Sequence, residues 1–472
     1  MARILFLVPL YALAAVAIYY MFLKKPPPLP EMALNAWWGP NELKAKQDTS
    51  IRPFKVIFSE SMINDLKERL KNHRKWTPPL ENIGFQYGFN SKQLDSWVTY
   101  WAEKYNFQER EKFFNKFPHF KTNIQGLDIH FIRVKPQVPA GVEVVPMLLM
   151  HGWPGSVREF YEALPLLTAV SKDRNFAIEA IVPSLPGYGF SGEAVRPGLG
   201  AVEVAVVLRN LMQRLGFKKF YAQGGDWGSA IGSAMATLFP DEVLGWHTNF
   251  AMVQSPYANF QMLVGSFFPS LIVEPQLQDR LYPLSKTFSY LIEESGYMHI
   301  QATKPDTVGV SLSDSPSGLL AYILEKFSTW TNPDWKTRAD GGLEERFTRD
   351  KLIDNLMMYW STNSITTSMR LYAESIGQEN GRTLNRFAFK PFSKHELIYQ
   401  PPKILKEKYP NTIGITVLDD GGHFIAFEKP EILAKDILTA VDAFRTKAEK
   451  ADNRFSSAGV TSPAKLKVLG SN

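Results

Sequence analysis

Cysteine is missing from all 472 residues. That excludes a disulfide framework, thiol catalysis and any cysteine-bound metal centre. An Asn-x-Ser/Thr glycan acceptor is missing too. Neither absence fixes a compartment, but both sit easily with a cytosolic location. Long charge runs of one sign are also lacking: 53 basic and 47 acidic residues are interspersed, for a net charge of +6. No nucleic-acid footprint is present, and the mild basicity suits an anionic membrane surface. No repeat or low-complexity tract interrupts the chain. An apolar content of 45% and a charged content of 21% are globular values. The length suits one large catalytic domain with insertions, or two domains.

One stretch near the start carries no charge at all. Residues 4–23 are uncharged, bounded by Arg3 and by Lys24-Lys25. That length spans a bilayer, with Tyr19 and Tyr20 near one interface. A cleaved signal peptide is the competing reading, since Ala15-Val16-Ala17 resembles its cleavage site. The apolar run continues past it to Leu23, longer than a signal core, so residues 1–23 are expected to be an uncleaved transmembrane anchor. Arg3 and the amino terminus balance the two lysines and leave the orientation open.

Four prolines between Lys24 and Pro30 form a stiff spacer. The segment 24–135 shows helical patterning at 60–70 and 91–105. It is dense in aromatics, including Trp76, Trp97, Trp101, Phe113 and Phe114. Such density predicts an accessory layer wrapped on the main domain. Residues 128–134 alternate like a strand, and His130 within them reads as structural.

From 136 to 250 the rhythm is strand, loop, strand, helix, strand, helix. A short apolar strand at 146–150 ends in His151-Gly152-Trp153-Pro154-Gly155, where the Trp-Pro bond is a candidate for the cis form. A second strand at 178–183 is followed by the turn Pro186-Gly187-Tyr188-Gly189, and an amphipathic helix spans 202–215. Then comes Phe220-Tyr221-Ala222-Gln223-Gly224-Gly225-Asp226-Trp227-Gly228, an aromatic-led strand stopping at two glycines, and a helix at 229–239. Glycines two before and two after Asp226 let strand and helix pass closely around a strained turn. That is the nucleophile elbow of α/β-hydrolases, here lifting an aspartate. A carboxylate is poor at attacking esters but good at displacing a leaving group from saturated carbon, leaving an alkyl ester that water must cleave. The bland alternative is an aspartate capping the helix. The order of elements predicts a mostly parallel sheet covered on both faces.

After a strand at 243–250, residues 251–377 turn to aromatic-rich helical segments, an insertion the size of a lid. Residues 378–452 return to the core. A strand at 411–418 closes on Asp419-Asp420-Gly421-Gly422-His423-Phe424, where this fold keeps its base. The Ser/Lys/Gly-rich tail 453–472 is expected to be disordered. The acid that orients His423 is found by elimination. No carboxylate follows the 243–250 strand, and Asp419 and Asp420 share the histidine's own loop. Glu396, 27 residues earlier, is preferred over Asp420.

The motifs His151-Gly152-Trp153-Pro154, Gly224-Gly225-Asp226-Trp227-Gly228, Glu294-Ser295-Gly296-Tyr297-Met298-His299 and Gly421-Gly422-His423-Phe424 resemble those of the microsomal epoxide hydrolases. The likeness covers about 53–435, is nearest to the insect juvenile hormone branch, and is weakest over 386–395. It implies Asp226 as nucleophile, His423 as base and Glu396 as its acid. It also implies Tyr297 and Tyr372 as donors to the epoxide oxygen; residues alone would read both as lid packing. The backbone N–H groups of Trp153 and Trp227 would form the oxyanion hole. In this scheme His423 is neutral when it activates water. No metal or organic cofactor is called for, and the implied partners are a lipophilic epoxide, water and a membrane. Two other readings stay open: a haloalkane dehalogenase, which shares the aspartate elbow, and a hydrolase-like binding protein without activity.

Overall fold

The computed structural model describes residues 32–376, 390–392 and 394–457, together with Tyr19. Seven strands form one mixed sheet in the order β1-β2-β3-β5-β4-β6-β7. They are β1 (Arg52–Phe54), β2 (His119–Ile124), β3 (Leu127–Val134), β4 (Glu143–Met150), β5 (Phe176–Pro183), β6 (Phe220–Gly224) and β7 (Val243–Thr248). The first three pair antiparallel and join β5 antiparallel, whereas β5, β4, β6 and β7 run parallel. The parallel part is the most buried. All eight residues of β5 and all five of β6 are buried, as strands covered on both faces must be.

The segment 24–135 therefore does more than cover the sheet: it adds three strands to its edge. It also supplies α1 (Glu60–Lys71), α2 (Ser91–Thr99) and α3 (Phe107–Phe114). His130 is fully buried and bonds His119 at 2.8 Å and Ser184 at 2.9 Å, a structural position. The helices beside the sheet include α4 (Ala163–Thr168), α5 (Ala201–Arg214) and α6 (Asp226–Leu238).

Between β7 and the C-terminal part lies a helical insertion. Its helices are α7 (Pro256–Phe267), α8 (Leu284–Glu294), α9 (Gly296–Thr303), α10 (Pro305–Asp314), α11 (Pro316–Thr329), α12 (Arg349–Trp360) and α13 (Ile365–Ile376). Beyond it, the strand expected at 411–418 shrinks to β9 (Ile415–Val417). It pairs in parallel with β8 (Lys390–Phe392) as a separate two-stranded sheet. Pro410 and Gly414 on one side and Gly421 on the other leave little room for a longer strand. Counting this pair, four of the seven strand pairings among the described residues are parallel. The chain ends in α14 (Pro402–Leu405), α15 (Ile425–Glu428) and α16 (Pro430–Ser457). Residues 453–457, expected in a disordered tail, are instead the last turn of α16, with no glycine or proline to stop it before Gly459. The rest of that tail lies outside the described residues. So does the expected anchor at 4–23, apart from Tyr19. Among the described residues no helix is long and apolar enough to cross a membrane.

One buried carboxylate ties three parts of the chain together. Asp354 on α12 is fully buried. It accepts from Tyr105 Oη at 2.9 Å and from Arg110 Nε at 2.8 Å, both in the N-terminal segment. It also accepts from Arg158 Nε at 2.8 Å, just beyond the His-Gly-Trp-Pro loop. Removing one partner of a buried ion pair costs roughly 3–5 kcal/mol, because the opposite charge is left unpaired. Asp354→Ala, which leaves Arg110 without its carboxylate and Arg158 with Glu162 alone, should lower the unfolding free energy by about that amount in denaturant titrations. A loss below about 1 kcal/mol, as at an exposed pair, would refute this role.

Candidate active site

Strand β6 delivers its last residue, Gly224, to a turn that Asp226 itself closes. Asp226 has φ +48°, the left-handed region that a side chain enters only at a cost of roughly 1–3 kcal/mol. Close packing enforces the turn. A Cβ on Gly228 would lie 2.3 Å from the Met150 carbonyl oxygen, and one on Gly152 would lie 2.3 Å from Cβ of Asp226. Helix α6 starts at Asp226, three residues earlier than the sequence suggests. The amides of its first turn, that of Trp227 among them, are therefore unused within the helix, and its positive dipole end faces the carboxylate.

The loop after β4 meets this carboxylate from the other side. Trp153 N–H donates to Asp226 Oδ1 at 2.8 Å, and the Trp153–Pro154 peptide is cis. The loop is clamped by α12: Asn355 donates to the Pro154 carbonyl at 2.7 Å, and Tyr359 to the Gly155 carbonyl at 2.5 Å. Buried His151 fixes the end of the strand. Its Nε2 accepts from Leu185 N–H at 3.1 Å, and burial lowers its pKa to about 4. It is therefore neutral, with its proton on Nδ1, 2.9 Å from the Gly152 carbonyl.

His423 stands between two carboxylates. Its Nε2 is 3.4 Å from Asp226 Oδ2, and its Nδ1 is 2.5 Å from Glu396 Oε1. Burial works against a charged ring there. The Glu396 carboxylate and the hydrogen bond to Asp226 outweigh it and hold the His423 pKa well above its ordinary value. The charged form of the ring is thus favoured in the free site, before the step in which the sequence reading has His423 act as a neutral base. Asp420, the other candidate acid, points away to Arg346 at 2.8 Å and Lys429 at 2.9 Å. The gap from Glu396 to His423 is bridged by backbone: His395 pairs with Gly422, and its N–H donates to Gly421 at 2.9 Å.

Tyr297 on α9 and Tyr372 on α13 converge on the same carboxylate from the insertion. Trp153 stacks on Tyr297 with ring centres 5.3 Å apart, and Trp227 meets Tyr372 edge-on at 4.8 Å. Both phenol pKa values are raised, by burial first. The negative charge of Asp226 adds to the rise at both. The Tyr372 hydroxyl is buried within hydrogen-bonding reach of the Tyr297 hydroxyl and the Trp227 indole.

Three contributors escaped the sequence reading. Trp330, at the end of α11, lies 4.9 Å from Tyr297 and 5.2 Å from His423, ring centre to ring centre. Its carbonyl also accepts from His423 N–H. Glu159 lines a cavity of about 20 Å³ beside Asp226, His423, Gln223 and Asn249, with room for about one water. Burial pushes its pKa up to about 8, opposed by His423 and assisted by Asp226. Glu428 accepts from Gly422 N–H at 2.8 Å and Phe424 N–H at 3.0 Å, and so grips the loop on both sides of His423. Only Glu428 had a legible signal, a carboxylate one helical turn past Phe424.

Burial also raises the Glu428 pKa to about 8, despite its two N–H donors. A carboxyl whose folded pKa lies above its unfolded 4.5 binds more protons when folded. Its contribution is therefore fully present below pH 4.5 and is lost as pH rises towards 8. Glu428→Gln cannot ionise, so it should flatten the fall of Tm between pH 5 and 8. An unchanged slope, measured by thermal denaturation in buffers across that range, would remove Glu428 from this accounting.

Two family models match the chain: "Epoxide hydrolase N terminus" over residues 51–160 and "alpha/beta hydrolase fold" over 145–264. Juvenile hormone epoxide hydrolase of Bombyx mori is 63% identical, over 94% of this chain and 98% of that protein. Epoxide hydrolase 1 of Sus scrofa is 46% identical, over 89% and 95%. The crystal structure of the Bombyx mori enzyme superposes with a TM-score of 0.87 at 65% identity, covering 88% of this chain and all of that one. With an aspartate elbow, a His-Gly-Trp-Pro loop and these relatives, the chain belongs to the microsomal epoxide hydrolase family on the α/β-hydrolase fold.

Proposed function

We propose that this epoxide hydrolase converts a lipophilic epoxide, juvenile hormone foremost, to its vicinal diol through an ester on Asp226. The observation that carries this reading is the convergence of two buried phenols, Tyr297 and Tyr372, on one carboxylate whose charge both of them feel. An Asp226 oxygen attacks a ring carbon from behind and the C–O bond opposite it breaks. Tyr297 and Tyr372 donate to the ring oxygen as its charge grows, where a hydrogen bond lowers the barrier most. Esterification then removes the negative charge beside His423, the histidine pKa falls, and the proton it gives up ends on the ring-opened oxygen, which becomes the first hydroxyl of the diol. Only then is a neutral imidazole available to take a proton from water. That water, held in the small cavity beside Glu159, attacks the ester carbonyl. The N–H groups of Trp153 and Trp227 hold the oxyanion until the diol leaves.

The hormone enters this reading through the name of the Bombyx mori relative and the aromatic walls of the site. In this scheme the stretch 251–377 serves as a lid, set between core segments 136–250 and 378–452. The anchor at 1–23 makes the protein single-pass in the endoplasmic reticulum membrane, with its catalytic part in the cytosol.

Single-turnover experiments with juvenile hormone and a simple aryl epoxide test the chemistry. Losing one donor at a developing oxyanion costs roughly 3 kcal/mol, about a hundredfold in rate. Tyr297→Phe or Tyr372→Phe should slow alkylation by about that factor, and the pair should nearly abolish it. His423→Gln should instead leave a covalent adduct on the Asp226 peptide, of mass equal to the added epoxide. Diol formed by that variant without an adduct would mean direct attack by water. Faster alkylation by the aryl epoxide would turn the reading towards foreign epoxides. For the anchor, the full chain should resist carbonate extraction, with its mature N-terminus before Ile4; a soluble protein beginning near Ile18 would exclude it.

A further inference from the structure

Strand β6 is buried along its whole length, yet its fourth residue is a glutamine. Gln223 is 1% exposed, and its Nε2 donates at 3.1 Å to Oδ1 of Asn249, the first residue past β7. Asn249 is itself held close: a Cβ on Gly225 would lie 2.7 Å from its Nδ2. The other end of the glutamine, Oε1, is buried without a hydrogen-bond partner. An unpaired polar group is costly to bury, and a methionine of similar length would fill the space without that cost. Gln223 and Asn249 line the cavity of about 20 Å³ beside Asp226 and His423. The carboxyl of Glu159, folded back over Gly155, lines it too. A polar cavity of one water's size, with an orphan acceptor in its wall, is a place where water is held.

We propose that Gln223 and Glu159 are positioning residues that seat the hydrolytic water against the Asp226 ester, with Asn249 holding the Gln223 amide. The assignment rests on the ester reading given above. A water in that seat has two protons to place and two acceptors for them, Gln223 Oε1 and the neutral Nε2 of His423. One lone pair is left to attack the ester carbonyl, and a protonated Glu159 donates to the other. The water gives one proton to His423. Its second proton stays with the oxygen on the tetrahedral carbon and passes to the departing diol oxygen, so Glu159 neither gains nor loses one. An ionised Glu159 would be a third acceptor and would draw the water's proton away from His423. Burial keeps the carboxyl protonated, with a pKa pushed up to about 8. Asp226 and His423, which face it, act on it in opposite directions and lose their charges together on esterification. Tyr359 of α12, the phenol nearby, is kept neutral by burial, and the Gly152 and Ser156 N–H groups of Glu159's own loop pull its pKa only partly back.

Rapid quenching of the full chain with a simple aryl epoxide, read by mass on the Asp226 peptide, separates the two steps. Gln223→Met should slow ester hydrolysis at least about tenfold, the loss of one hydrogen bond, while alkylation keeps its rate. The adduct should then persist. In the unaltered protein ester hydrolysis should fall as pH rises through about 8. Glu159→Gln, a donor that cannot ionise, should still hydrolyse the ester near neutral pH and should lack that fall. Glu428 titrates in the same range but is present in both proteins, so a fall that persists in Glu159→Gln would remove Glu159 from the seat. An adduct that Gln223→Met clears at the unaltered rate would overturn the proposal. Equal slowing of both steps with a lowered Tm would overturn it too, since Gln223 would then only support the strand. Absence of any adduct, even in His423→Gln, would instead overturn the ester reading, and the seat with it.

Discussion

The carboxylate of Asp226 sits on a backbone held at φ +48°, and the rest of the site follows from keeping it there. A left-handed aspartate persists only where its surroundings over-determine it. Strand β6 on one side, helix α6 on the other and the Gly152 backbone beneath leave no space for side chains at 152 and 228. What the turn gains for its strain is position: the carboxylate is lifted clear of the sheet, at the dipole end of a helix, facing the insertion. There a single N–H, from Trp153, holds one oxygen while the other faces His423.

That arrangement needs a second constraint, because Trp153 lies on a loop. The loop is fixed by α12 of the insertion, through Asn355 and Tyr359. The neighbouring residue Asp354 runs in the opposite direction, to Arg158 and to the N-terminal Tyr105 and Arg110. Two adjacent residues of one helix thus join the N-terminal segment, the loop beside Asp226 and the helical insertion. The accessory segment keeps a catalytic loop in register, so damage to it would be felt at Asp226.

Motifs with short spacing were legible in the sequence, and those made by distant parts were not. The elbow, the His-Gly-Trp-Pro loop and the Gly-Gly-His turn each carry their geometry within a few residues, because glycine and proline mark where backbone must bend or pass closely. Glu396 could be reached only by eliminating other carboxylates. The bridge from His395 to Gly422 that brings it to His423 spans 27 residues and leaves no local pattern. The tyrosines were readable only through resemblance, since an aromatic on a helix looks the same whether it packs or donates. Trp330 and Glu159 were invisible for a related reason: their meaning lies in what stands opposite. Strand β9 is shorter than the strand expected at 411–418, because Pro410 and Gly414 limit its length.

Charge gives the site its sequence of events. In the free site His423 is flanked by two carboxylates that raise its pKa, and in the mechanism proposed above the charged ring cannot act as a base. In that proposal the first half of the reaction is protected, because an imidazolium 3.4 Å from Asp226 would screen the carboxylate without taking its place as nucleophile. An ester at Asp226 deletes one of the two charges that sustain the imidazolium, while Glu396 remains to hold Nδ1. The ring then keeps its orientation but loses much of its reason to stay charged. In this proposal a base fixed by its acid partner and switched by its neighbour's esterification acts second because it cannot act first. The order of the two steps would then be set by electrostatics within about 4 Å of one imidazole.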